Sequence, residues 1–293
     1  MEVKCFHLLI LSLLPACARE GRKQESIKNM RTKVLHSWNL SYSQAVALQK
    51  QLAQKVQQIE LKTQPKTIAG LDCALSSDGH SIVAAVVVLQ NVESTESLFG
   101  QVKIADFKLI ETATASGELT FPYIPGLLSF RESPVCIAAV EKLKKEPDAF
   151  MIDGQGIAHP RRLGIAAHLG LFFDKPTIGC AKSRLTGYFE EPSPEKGAYS
   201  FLKDKNYHAD TRDEQPLLQQ GQACPRESGG TSDEIIGAVV RTRDNVEPVF
   251  VSVGNKCLLK DAIKITLDCT TKYRIPEPTR LAHQLVSKLK IEV

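Results

Sequence analysis

Three acidic residues and one lysine in this 293-residue chain stand where apolar segments end, places in which a charge needs a reason. Asp72 lies inside IAGLDCAL, a stretch with no other charge, and Asp153 closes AFMID just before Gly154. Glu132 follows the apolar GLLSF and opens a helical pattern, while Lys182 ends PTIGCAK. A single buried carboxylate is explained well enough by a helix cap or a salt bridge. Several together offer hard oxygen ligands suited to Mg²⁺ or Mn²⁺, with substrate phosphate and water completing the shell. His159, Arg161 and Arg162, in HPRRLG, precede a helix N-terminus that can hold an anion, and beside Asp153 they read as phosphate clamps. Lys182 and Arg184 form a second basic cluster. The chemistry these residue types support is metal-assisted hydrolysis of a phosphodiester.

Such side chains need a scaffold that brings strand ends together. Ser41 or Ser43 can cap a helix whose apolar positions Val46, Leu48, Leu52, Val56 and Ile59 keep helical spacing. TIAGLDCAL, HSIVAAVVVLQ and ADFKLIETATASG read as three strands in an antiparallel meander, with a turn at Ser77–Gly79. Then strands and helices alternate: ESPVCIAAVEKLKK as helix, DAFMID as strand, RRLGIAAHLGLFF as helix and KPTIGCAK as strand. EIIGAVVRT and EPVFVSVG follow as strands, and LLKDAIKITLDCTT and PEPTRLAHQLVSKL close as helices. This order predicts an α/β fold with a mixed sheet flanked by helices in a single domain. Residues 203–232 are polar and aperiodic and predict a long, flexible surface insertion.

Composition sets the bounds. Hydrophobic residues at 43% and charged residues at 24% are those of a globular protein. Residues 1–30 hold five Lys/Arg and three Glu, half of the net +4. Phosphate binding must therefore rest on local clusters and metal rather than on a general field. Residues 1–29 form a leader-like extension: MEVKCFHLLILSLLPACARE has the pattern of a secretory signal, yet Met30 is an equally good start, and both readings stand open. No segment is long and apolar enough to span a bilayer, and a cytoplasmic monomer is expected for residues 30–293. The cysteines form no C-x-x-C pair and are expected to be small buried hydrophobes.

IAGLD, PYIPGLLSFRE, IDGQGIAHPRRLGIAAHLGL, PTIGCAKSRL and YRIPEPTR, in that order, resemble the successive blocks of the endonuclease V family, the deoxyinosine 3′-endonucleases. The likeness spans about residues 38 to 285, and the ordered set is specific where DGxG alone would say little. The resemblance implies an RNase H-like fold, dependence on Mg²⁺ with Mn²⁺ as a substitute, and cleavage of the second phosphodiester 3′ to inosine in DNA. That activity would serve the repair of deaminated adenine. It further implies that Asp72, Asp153 and Glu132 hold metal and, with Lys182, form the catalytic set. Pro122, Tyr123, Ile124 and Pro125 become a wedge that two prolines pre-stiffen, so that Tyr123 and Ile124 enter a duplex and the damaged base turns out. Gly126, Leu127 and Gly154 would bring backbone to that base, beside His159, Arg161 and Arg162.

The family pattern is broken at two positions. Gln155 and Asn255 stand where bacterial relatives usually carry histidine. The first position varies among relatives and tolerates Gln155, whereas the second lies near the metal shell, so Asn255 is expected to weaken the metal site or alter its metal preference. Two alternatives accompany the DNA reading: an inosine-specific endoribonuclease, since no residue declares a preference on the 2′-hydroxyl, and a non-cleaving inosine-binding module if Asn255 disables the site.

Overall fold

Thr67 to Leu75, Ser81 to Val92 and Asp106 to Glu118 form the meander expected from their alternation (β1, β2 and β3). The computed structural model describes residues 29–76, 79–92, 106–205 and 233–292. The leader-like segment up to residue 28, Ser77 and Asp78 of the expected turn, and residues 206–232 of the expected insertion lie outside them. Five more strands follow: β4 (Ala149–Ile152), β5 (Thr177–Ala181), β6 (Tyr199–Asp204), β7 (Glu234–Val240) and β8 (Val249–Asn255). Among the described residues they join one eight-stranded sheet in the order β3-β2-β1-β4-β5-β8-β7-β6. β1–β4 and β4–β5 are parallel and the other pairs antiparallel, which makes the sheet mixed.

The helices are α1 (Tyr42–Ala53), α2 (Leu128–Val140), α3 (Ile165–Phe173), α4 (Leu259–Asp268) and α5 (Glu277–Glu292). Strand alternation sorts them into layers. Ala69 and Leu71 of β1 face α2 and α3, in a core with Val135, Leu169 and Phe172. Ile68 faces the other way, towards Ala262 and Ile263 of α4. α5 lies on that second face, with Ala282 packed on Val87 and Leu89. α1 rides outside α3 through Leu52, Leu163 and Leu171. Among the described residues no helix is long and apolar enough to cross a membrane, and Cys73, Cys136, Cys180, Cys257 and Cys269 are free thiols.

Four elements differ from the sequence expectation. α1 begins at its Ser41 capping box but stops at Ala53 instead of running to Ile59. Beyond it the backbone of Gln57 bonds to the Asn255 side chain and to the Lys256 amide, tertiary partners that outcompete helical propensity. α2 starts at Leu128, so GLLSF belongs mostly to the helix and Glu132 sits about one turn inside it. α3 starts only at Ile165, because Arg162 takes a positive φ of 56° and Gly164 caps the helix. β6 was not expected, since Tyr199 and Phe201 leave an edge strand with an exposed aromatic face instead of core alternation.

Candidate active site

The period of two that buries Ala69 and Leu71 on the α2 side puts Gly70 and Asp72 on the α5 side. Gly70 is what lets α5 come close: a Cβ there would stand 1.9 Å from the Pro278 carbonyl oxygen. With its first turn seated on β1, α5 presents His283 to Asp72, Nδ1 to Oδ2 at 2.7 Å. Nothing in QLVSK-type helical patterning marked His283. The signal that could have found it is the i, i+3 placement of Arg280 and His283 after the proline-initiated start of α5.

Asp153 enters from the neighbouring strand. It follows β4, and its amide donates to the Leu71 carbonyl at 3.1 Å, which carries the parallel ladder one step further and leaves the carboxylate beside Asp72. Ligand atoms of Asp72, Asp153 and His283 all lie within 4.8 Å of one another. Lys182, just beyond β5, donates to Asp153 Oδ2 at 2.5 Å. Burial, and next the Asp153 charge, hold Asp72 above the usual carboxylate range, against the pull of the His283 hydrogen bond and Lys182. Two carboxylates that repel each other, with an imidazole beside them and one lysine partly offsetting their charge, are a donor set that fits a divalent metal ion.

Glu132 approaches the same centre from the opposite face. It projects from α2, is hydrogen-bonded with the Cys73 thiol, and is pushed up to about 7, first by burial and then by the charge of Asp72. It feels both aspartates without belonging to the Asp72–Asp153–His283 ligand group. The structure thus brings Asp72, Asp153, Glu132 and Lys182 together and adds His283.

The tip before α2 forms one wall of a cavity of about 390 Å³ next to this centre, whose lining includes Tyr123, Gly126, Asp153, Gly154, His159 and Lys182. Ile124 to Leu127 make a turn with Pro125 second and Gly126 third, at φ 78°, closed by the Leu127 amide on the Ile124 carbonyl at 2.9 Å. Phe121 and Leu127 anchor the two ends in a cluster with Phe130 and Ala45, and Tyr123 projects with 66% of its surface exposed. Ile124 does not project: it packs against that same cluster, so the exposed part of the tip is Tyr123 with Pro122 and Pro125. Leu127 is fully buried and serves as an anchor, not as pocket lining.

The expected phosphate clamps turn inward. Arg162 is buried and pairs with Glu234 at 2.6 Å and Asp204 at 3.1 Å, a strut between the turn and the β6–β7 edge. Arg161 donates to the Gly126 carbonyl at 2.7 Å and to Gln49 at 2.5 Å. His159 also reaches the Gly126 carbonyl, at 3.1 Å, and burial with the nearby arginines brings its imidazole down to about 4. These side chains are committed to the fold's own polar groups before any ligand arrives.

Asn255 is likewise not where the family pattern suggested. It pairs with Thr177, the first residue of β5, whereas Asp153 lies beyond Ile152, which pairs with Gly179 further along the same strand. At about 3.3 Å per residue, that places Asn255 roughly 10 Å away along the sheet. Its amide is buried between the Gln57 N–H at 2.9 Å and the Gly170 carbonyl at 3.0 Å, so it braces the fold away from Asp72 and Asp153. Gln155 is buried as well and donates to the Ser183 carbonyl at 2.9 Å.

The chain and its fold have known relatives. Residues 50–284 match the family described as Endonuclease V. An endonuclease V of Dehalococcoides mccartyi is 40% identical over 261 residues, 89% of this chain and 99% of that protein. One from Methanothrix thermoacetophila is 42% identical over 259 residues, 88% of this chain and 96% of the relative. The crystal structure of the Streptomyces avermitilis endonuclease V superposes with a TM-score of 0.69 at 34% identity, covering 90% of this chain and 98% of the other. The Ciona intestinalis endonuclease V, solved with a 24mer DNA containing an inosine followed by a ribo-adenosine, gives 0.60 at 25% identity, covering 84% and 95%.

Proposed function

The chain belongs to the endonuclease V family, and from that premise we propose that it is a Mg²⁺-dependent endonuclease that cuts DNA on the 3′ side of inosine, at the second phosphodiester. The observation that carries the reading is the contiguity of two features. The group of Asp72, Asp153 and His283, through Asp153 and its partner Lys182, borders a cavity whose wall includes Tyr123 and Pro125 of the tip. One feature suits phosphodiester hydrolysis and the other suits an extruded base.

The residues divide the work by position. Asp72, Asp153 and His283 would hold the metal, with Mn²⁺ able to stand in for Mg²⁺. The bound ion supplies Lewis-acid stabilisation of the charge that builds on the phosphate oxygens. Lys182, 2.5 Å from Asp153, keeps a positive charge at the same place and orients that carboxylate. Glu132, its carboxyl pushed up to about 7 by burial and the Asp72 charge, would be able to hold a proton at neutral pH. Tyr123 offers an exposed ring that separates stacked bases, and the stiff turn behind it lowers the ordering cost of doing so. The flipped base would then enter the cavity beside Gly126 and Gly154, where backbone can approach it. Asn255 gives no ground for a module that binds without cutting, since it lies away from the centre.

Cleavage of inosine-containing RNA is a second reading, favoured by the ribo-adenosine that follows the inosine in the Ciona complex. A nicking assay tests both: end-labelled DNA and RNA strands with one inosine each, in Mg²⁺ and then in EDTA, against wild type, Asp72→Asn and Asp153→Asn. Mg²⁺-dependent cutting at the second bond 3′ to inosine, lost in both variants, is the expected result. Cutting that survives EDTA or either substitution refutes the metal assignment.

A further inference from the structure

Three side-chain donors converge on one backbone oxygen, the carbonyl of Gly126. Gln49 Nε2 lies 3.0 Å from it, Arg161 Nη2 2.7 Å and His159 Nε2 3.1 Å. The donors come from separate parts of the chain, α1 and the turn before α3, and meet on the third residue of the tip's tight turn. Their hydrogen-bond senses are mutually determined. The Arg161 amide donates to His159 Nδ1 at 3.1 Å, so the proton of that neutral ring sits on Nε2, facing Gly126. Arg161 Nε donates to Gln49 Oε1, which turns the Gln49 amide so that its nitrogen faces the carbonyls.

Gln49 is 1% exposed, and both of its Nε2 hydrogens are used, one on Gly126 and one on the Leu163 carbonyl at 2.7 Å. It borders the cavity yet has no donor left for a ligand. It also lies one position before the stretch that matches the family. We propose that Gln49 is a positioning residue for substrate recognition: with Arg161 and His159 it clamps the Gly126 carbonyl and so holds the tip and the cavity wall in the form that admits the extruded base.

The physical case rests on where the tip is otherwise held. Phe121 and Leu127 fix its ends by burial, but Pro122, Tyr123 and Pro125 between them are exposed. Pro125 restricts φ at one residue of the turn, but Gly126 is conformationally permissive, so the single turn hydrogen bond from the Leu127 amide to the Ile124 carbonyl leaves the peptide plane between Gly126 and Leu127 some freedom to tilt. Three donors on that plane's oxygen remove the freedom before substrate binds, and preorganisation of this kind acts on affinity. A Cβ at Gly126 would come within 2.6 Å of Arg161 Nη2, so the clamp and the turn glycine are fitted to each other.

The inference rests on the cavity's being the base pocket, and the experiment keeps the two separable. Full-length wild type, Gln49→Met and Arg161→Lys are compared on a single-stranded oligodeoxynucleotide containing one inosine, and by hydrogen exchange across the whole chain. Gln49→Met keeps the length of the side chain without its amide, and Arg161→Lys keeps the charge without the planar fork, so the second decides if the first fails to fold. We expect KM to rise about tenfold, the equivalent of one buried hydrogen bond. At saturation kcat should stay within about twofold, because the metal group is untouched. Faster exchange should be confined to residues 122–128. An unchanged KM, or exchange that rises uniformly over the molecule, overturns the clamp. If wild type does not cut the inosine strand, the proposed function fails, and the clamp is judged on exchange alone, local acceleration upholding it and uniform acceleration or none rejecting it.

Discussion

Replacing His283 with alanine tests the proposed metal site apart from the fold, because the ring is 54% exposed and touches the acidic pair through one hydrogen bond to Asp72. A hydrogen bond to a charged group contributes about 1.5–3 kcal/mol. Solvent screening at an exposed ring favours the lower end, so the variant should need about tenfold more Mg²⁺ for half-maximal nicking. The sign of the pH effect follows from the same contact. The hydrogen bond pulls the Asp72 carboxyl down against burial and the Asp153 charge; without it Asp72 protonates at higher pH. The acid limb of the activity profile should therefore move to higher pH, while thermal stability changes by no more than about 2 °C, as for an ordinary surface substitution. Mg²⁺ titrations of nicking at several pH values, beside a thermal melt, measure all three. Superimposable titrations and acid limbs for variant and wild type would refute the assignment of His283 to the centre.

Tyr123→Ala removes stacking worth about 1–3 kcal/mol, and the loss should be larger on duplex than on single-stranded substrate, where no base step has to be opened. Equal losses on both would mean that the ring does not act as a wedge. Asn255→His breaks the bonds to Gln57 and Gly170 in a site where Gly170 already packs tightly on the Asn255 Cβ. It should cost about 2 kcal/mol of stability in urea unfolding and leave the Mg²⁺ midpoint unchanged. His168 is buried, bonded to His36 at 2.8 Å and lowered to about 3 by burial and then by His36. A depressed folded pKa means stability that is complete above 6.5 and lost as pH falls toward 3. Between pH 7 and 4.5 unfolding free energy should drop by about 2–3 kcal/mol from this residue. A flat urea midpoint over that range would contradict it. Met30 is buried, and its amide donates to the Leu143 carbonyl at 2.9 Å, so a chain started at Met30 keeps the N-terminal contact with the core. It should nick inosine DNA at the full-length rate; a large loss would show that residues 1–29 contribute.

The strands that carry the aspartates were legible because their information is local. An apolar run ending in a carboxylate declares itself wherever it folds, and the alternation of β1 and the Gly-flanked end of β4 needed no knowledge of partners. Lys182 was legible for the same reason. The tip could be read as a stiff turn from Pro122, Pro125 and Gly126, since φ preferences are properties of single residues. What the sequence could not express was direction. HPRRLG shows three cationic or titratable groups but not that Arg162 turns onto Asp204 and Glu234, or that Arg161 and His159 turn onto Gly126.

Contacts across long separations were decided only by packing. Asp72 and His283 are 211 positions apart, and their meeting depends on α5 lying against Gly70. Ile124 had the composition of a wedge residue, but burial against Phe121 and Phe130 was available and drew it inward. Asn255 is set apart from Asp72 and Asp153 by antiparallel pairing of β8 with β5, a register that no motif records. The sequence by itself determined which residues carry charge into apolar segments and where the backbone is stiff, because desolvation and φ restriction act within a few residues. The tertiary structure decided which of those charges face one another, because that depends on sheet order and helix docking, where burial of apolar area outweighs any local preference.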